Sequence, residues 1–175
     1  TELFELDALQ QWQLKNDLLQ LEDGAIEAYR LKALKTGALP LKHMADIQVA
    51  KTKEELAPVK KILKDCVGED IEQEVMISIP LADTVITGKL NGIYNDKILV
   101  ISFSKNQYKY LLEAYIKYVL VTAQGLVLEL NYISAIANSI FTIPKNTYTQ
   151  SKALDILVQL VAHFKKGHDE IFLLY

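Results

Sequence analysis

Any chemistry in this chain turns on Asn91, Ser102 and Ser104, with Lys105 beside them. Gly88-Lys89-Leu90-Asn91-Gly92-Ile93-Tyr94 reads as one strand, and Lys97-Ile98-Leu99-Val100-Ile101-Ser102-Phe103 as the next, joined through the turn Asn95-Asp96. Magnesium-dependent phosphodiester hydrolysis can be built on such a pair, with an acid on one strand and an acid, a spacer and a lysine on the other. The acids hold the cation through hard oxygens, and the lysine steadies the attacking water. At those places this chain has Asn91, Ser102 and Ser104. Their neutral oxygens add no charge to balance a divalent cation, so the expectation is strand geometry without catalytic residues, bound metal or cofactor. Lys105 stands one residue beyond the place of the lysine. Because neighbouring strand residues face opposite sides, that slip turns its amine away unless a bulge restores it. A rearranged but active nuclease stays open as an alternative, and it would need two acids from elsewhere. Glu72, Glu74, Asp83 and Asp96 read more simply as solvated charges.

A second kind of chemistry is electrostatic. Lys89, Lys105 and Lys109 can form a small basic surface for phosphates beside the degenerate site. Tyr108, Tyr110, Tyr115 and Tyr118 are of the type that stacks on unpaired bases, but helical spacing assigns Tyr115 to the core. Lys51, Lys53, Lys60, Lys61 and Lys64 alternate with Glu54 and Glu55, which is the pattern of a solvated helix face. His43, His163 and His168 are too dispersed for a zinc site. The apolar run Phe172, Leu173, Leu174 and Tyr175 is a candidate subunit interface, unless it is covered within the chain itself.

Composition limits the possibilities. With 175 residues, half of them apolar, the chain can bury a substantial core as one domain. A net charge of -3 excludes a globally cationic nucleic-acid binder, so contact with DNA needs a local patch. Arg30 is the only arginine, and lysines lack the planar fork that reads guanine, so sequence-specific base reading is not expected. Cys66 is the only cysteine and cannot close an internal disulfide, which suits a reducing, cytoplasmic compartment. No apolar run approaches membrane-spanning length. The chain begins at Thr1 without a methionine and stops within an apolar run, so it reads as a piece of a longer polypeptide.

The elements that must position these residues follow from periodicity. Helices are predicted over Leu6 to Leu21 and from Asp23 to a stop at Gly37. Leu41 to Cys66 is helical in composition with a kink or break expected at Pro58, and Thr52 with Glu55 three residues on is a candidate capping box for a second helical part. The period then changes to two: Val75, Ile77 and Ile79 point one way, Pro80 to Asp83 turns, and Thr84 to Tyr94 returns. Lys97 to Phe103 is a strand buried on both faces. A helix over Gln107 to Ala123 ends at Gly125, strands follow at Leu126 to Ile133 and Ser139 to Ile143, and Ser151 opens a last helix ending at Gly167. Leu154, Leu157, Val158 and Val161 are its expected buried stripe, and Glu170 to Leu174 reads as a final strand. The result is one α+β domain over 1–175, mainly helical over 1–66, with a mixed sheet and two helices over 71–175.

Four segments, in this order, carry a resemblance. Phe4-Glu5-Leu6-Asp7-Ala8-Leu9 with Trp12 to Leu19, then Gly37-Ala38-Leu39-Pro40, then Gly88 to Tyr94, and Ala153-Leu154-Asp155-Ile156-Leu157 resemble the C-terminal domain of the RecC family, the gamma subunit of exodeoxyribonuclease V. The resemblance implies a restriction-endonuclease-like PD-(D/E)xK core that has lost its active site. It also implies a non-catalytic subunit of the RecBCD helicase-nuclease in recombinational repair of double-strand breaks. The expected partners are double-stranded DNA ends and RecB-like beta and RecD-like alpha subunits, which supply ATP hydrolysis and cleavage. The domain would help to receive and split the duplex, while Chi recognition belongs to domains upstream. Asn91, Ser102 and Ser104 depart even from relatives that keep charged groups there, which puts phosphate contact at those positions in doubt. A module that binds only protein is the third reading.

Overall fold

The structure is a computed structural model, and it describes residues 6–39 and 43–169. By internal packing the chain divides into two units, Thr1–Leu63 and Lys64–Tyr175.

The first unit is helical. In α1 (Ala8–Gln20) the Asp7 carboxylate accepts from the Gln10 N–H at 2.8 Å, and the Gln10 side chain accepts from the Asp7 N–H at 2.9 Å, a reciprocal capping box. Leu14 and Leu18, one turn apart, are buried, while Leu9 and Trp12 are exposed. A 3-10 turn (Asp23–Ala25) leads into α2 (Ile26–Lys35), and the chain leaves that helix through Gly37 in the left-handed region. The Tyr29 hydroxyl donates to Asp17 at 2.8 Å, Lys15 pairs with Glu55 at 3.1 Å, and Arg30 bridges Glu27 and Asp46.

Helix α3 (His43–Val67) departs from expectation at two places. It is one continuous helix with Pro58 inside it, so the chain does not break there. The proline ring opposes the Glu54 carbonyl, but both residues are exposed, so water can serve the carbonyl that loses its donor. The buried stripe Ala45, Val49, Thr52, Leu56 and Val59 continues past the proline and supplies the packing that outweighs the loss. Thr52 is not a cap. It is buried in mid-helix, and its hydroxyl donates back to the Gln48 carbonyl at 2.7 Å.

The second unit is a five-stranded mixed sheet flanked by helices, with strand order β1-β2-β3-β4-β5, and its α+β class is the expected one. The strands β1 (Glu72–Pro80), β2 (Val85–Tyr94) and β3 (Lys97–Ser102) form an antiparallel meander. Helix α4 (Gln107–Ala123) then crosses over, so β4 (Glu129–Ser134) lies parallel to β3, and β5 (Ser139–Ile143) returns antiparallel. Alternation places Ile77, Ile79, Ile93, Ile98, Val100, Leu130 and Tyr132 in one core with Ala114, Tyr118, Val119 and Val121 of α4. β3 is central and mostly buried, as its continuous apolar run predicts.

Two boundaries shift. Leu126 to Leu128 are not strand, because the chain first closes α4: Gly125 turns at φ 93° and the Leu126 N–H reaches back to the Val121 carbonyl at 3.0 Å. Helix α5 (Gln150–Asp169) starts before Ser151, and Thr149 caps it by accepting from the Lys152 N–H at 3.1 Å. On α5, Ala153 and Leu157 are buried whereas Val158 is exposed, so the inward face is narrower than the apolar stripe. The expected strand over 170–174 lies outside the described residues.

The outer edge of β1 has an unusual guard. Gln124, at the end of α4, accepts from the Ser78 N–H at 2.8 Å and donates to the Met76 carbonyl at 2.6 Å. One side-chain amide thus takes the place of a neighbouring strand's peptide group and blunts an edge open to pairing. Gln124→Ala is expected to speed amide hydrogen exchange at Ser78 about fivefold relative to the interior of β3, since a lost hydrogen bond is worth about 1 kcal/mol. Exchange mass spectrometry with residue resolution checks this, and unchanged Ser78 protection would rule out the guard.

Candidate functional site

Asn91, Ser102 and Ser104 are placed by a bulge and a turn. On β1 and β2 the pairing runs from Pro80↔Val85 to Val75↔Leu90, slips, and resumes at Gln73↔Ile93. The two residues of β2 inside the slip are Asn91 and Gly92. Gly92 has φ 77°, and its N–H donates to the Glu72 carboxylate at 2.9 Å. The β2–β3 ladder consists of Ile93↔Ile98 and Tyr94↔Lys97, so it stops short of both Asn91 and Ser102. Asn91 is exposed.

Ser102 lies at the opposite extreme, wholly buried at the end of β3. Its Oγ accepts from the Ser104 N–H at 3.2 Å, and the Ser104 Oγ accepts from the Asn106 N–H at 3.0 Å. The Gln107 amide donates to the Ser104 carbonyl, and the Tyr132 hydroxyl donates to Gln107. The Ser102 carbonyl accepts from Ala135 N–H at 2.8 Å. These serines therefore knit the end of β3 into the start of α4, which is the work of short hydroxyl side chains in turns. Chemically the place is neutral and already hydrogen-bonded. Glu72 is exposed, as expected of a solvated charge, and its carboxylate also holds the bulge. Among the described residues no three His, Cys, Asp or Glu side chains are grouped to hold a metal ion.

The three candidate lysines separate. Lys89 lies across from Met76 on β1, and its amine pairs with Glu74 at 3.5 Å, so its charge is locally balanced. Lys105 precedes α4 and Lys109 sits in its first turn; both are exposed. The Lys109 amine lies 5.9 Å from the centre of the Tyr110 ring. Of the tyrosines, Tyr118 is buried and Tyr115 packs on the core, each edge-on to Tyr148. Burial, then the hydrogen bond with Tyr148, push the Tyr115 phenol up to about 12. Tyr108 is the outlier, 85% exposed. Cys66 is half-buried, and burial pushes its thiol up, away from nucleophilic use. Among the described residues no helix is long and apolar enough to cross a membrane. The interface candidates Phe172, Leu173, Leu174 and Tyr175 lie outside the described residues.

The family model of the RecC C-terminal domain matches residues 1–175. The chain belongs to the RecC C-terminal domain family. RecC is the gamma subunit of RecBCD, a complex of DNA repair, and membership carries that association to this chain. No curated protein sequence matches it. The bulge at Gly92 and the serine turn after β3 both serve local structure.

Proposed function

We propose that this RecC-type domain is an inert nuclease-like scaffold in RecBCD. It helps to receive double-stranded DNA ends, to separate their strands and to hold the subunits together, while RecB-like beta and RecD-like alpha chains supply ATP hydrolysis and cleavage. The observation that carries the reading is Ser102: at the place of a metal-binding acid stands a wholly buried neutral hydroxyl already engaged by a backbone N–H. A carboxylate pair cannot be assembled from Asn91 and Ser102, and an oxygen site of neutral groups balances little of a divalent charge. The mechanism is then mechanical and electrostatic, with the motor subunits pulling DNA across a fixed surface. Lys105 and Lys109 are its candidate phosphate contacts. A cytoplasmic address belongs to the same reading, through the lone Cys66.

The test is calorimetric titration of the purified chain with Mg²⁺ and Mn²⁺, with end-labelled duplex cleavage assayed on the same sample. The expected result is no saturable heat and no cleavage. Saturable binding together with cleavage that is lost on changing a nearby carboxylate would establish a relocated active site instead.

A further inference from the structure

The junction between β3 and α4 carries more than its serine turn. From Lys97 to Leu112 the chain contains no acid, and the flanking acids are both occupied: Asp96 pairs with Lys145, and Glu113 pairs with Lys117 at 3.2 Å. Lys97 is occupied too, donating to the Cys66 carbonyl. Lys105 and Lys109 are left as a local excess of positive charge on a chain whose net charge is -3. Between them stands Tyr108, 85% exposed, with Leu112 one turn on and 56% exposed. The first turn of α4 holds no acid, and the one acid of the helix, Glu113, lies a turn beyond Lys109 and is paired with Lys117. Burial explains neither large side chain, in contrast to Tyr115 and Tyr118 on the same helix, which face the core.

We infer that Tyr108, flanked by Lys105 and Lys109, is a binding site for unpaired nucleotides of a DNA strand. The inference rests on the scaffold reading above and specifies where a separated strand is held. An aromatic ring with basic neighbours fits a single strand, because each base offers a π-face and its phosphate a charge. Duplex DNA fits less well, since its base faces are stacked on one another and the ring would find only the terminal pair. Leu112 extends the apolar surface under a stacked base. Lys105 and Lys109 take the phosphates as point charges, without sequence preference.

The test uses the assembled complex of this chain with its beta and alpha subunits, and two DNA probes: a blunt duplex, and the same duplex with a single-stranded thymine tail carrying 5-iodouracil. Tyr108→Ala is expected to weaken tailed relative to blunt DNA roughly tenfold, and Tyr108→Trp to preserve the ratio. The tail should photo-crosslink to Tyr108. The double variant Lys105→Ala/Lys109→Ala should lower the salt slope of tail binding by about 1.4. An unchanged tailed-to-blunt ratio, with no crosslink at Tyr108, overturns the site and leaves the scaffold reading standing. So does loss of the beta or alpha subunit from the Tyr108→Ala complex, which would make Tyr108 a protein contact. A wild-type complex that holds neither probe overturns both.

Discussion

Replacing Gly92 by alanine is expected to destabilise the sheet unit by about 2 to 4 kcal/mol. Two costs add. At φ 77° an L-residue pays left-handed strain of roughly 1 to 2 kcal/mol, and an added Cβ would lie 2.7 Å from the Leu99 carbonyl oxygen. That neighbour is backbone of the central strand, so relief requires β3 to move and not a side chain to rotate. Gly37 is the control, with φ 73° and no atom within 4 Å of its added Cβ, so Gly37→Ala carries the strain alone. Denaturant unfolding followed by circular dichroism, with comparison of the two variants, checks the difference. Equal losses would show that β3 yields to the new methyl group without cost. The bulge leaves Asn91 at the surface, and the β2–β3 ladder stops at Ile93↔Ile98.

Introducing an acid on β3 should be costly, and measurably so. Ser102→Asp is expected to cost about 3 kcal/mol or more, because it buries a carboxyl where the only described hydrogen-bonding role is accepting one backbone N–H. Burial raises the folded-state pKa of the introduced carboxyl above its unfolded value. The folded state then holds the proton more tightly, so the penalty is largest at neutral and alkaline pH and shrinks as pH falls through the folded pKa. Asn91→Asp, at an exposed position, should change stability by no more than about 0.5 kcal/mol. Unfolding curves of both variants at pH 5 and pH 8, with and without Mg²⁺, separate the cases. Rescue of Ser102→Asp by Mg²⁺ would mean that the metal geometry survives and would sink the inert reading.

The two expectations differ in origin. The Ser102 substitution is suggested by sequence alone, since Asn91, Ser102 and Ser104 stand where a nuclease strand pair is expected to carry its acids and lysine, but its cost is set by burial. The Gly92 effect depends on the approach of β3, which nothing local announces. The lysines make a similar point. Lys89, Lys105 and Lys109 look equivalent along the chain, yet Lys89 is matched by Glu74 through strand pairing, whereas Lys105 and Lys109 keep their charge because the neighbouring acids are taken by Lys145 and Lys117.

Local patterning determined much of this protein. The change of period from helix to strand after Cys66, the buried run of β3 and the glycine that ends α4 all follow from side-chain type and spacing. Tertiary structure decided the rest, because it depends on partners distant in sequence. Pro58 stays inside a helix because an apolar stripe continues past it. Thr52 turns inward to bond Gln48, Gln124 leaves its helix to guard the edge of β1, and Glu72 supports a bulge twenty residues away at Gly92. Each outcome is a choice between local alternatives of similar free energy, and packing tips the balance by deciding which polar groups lose water and must find a partner.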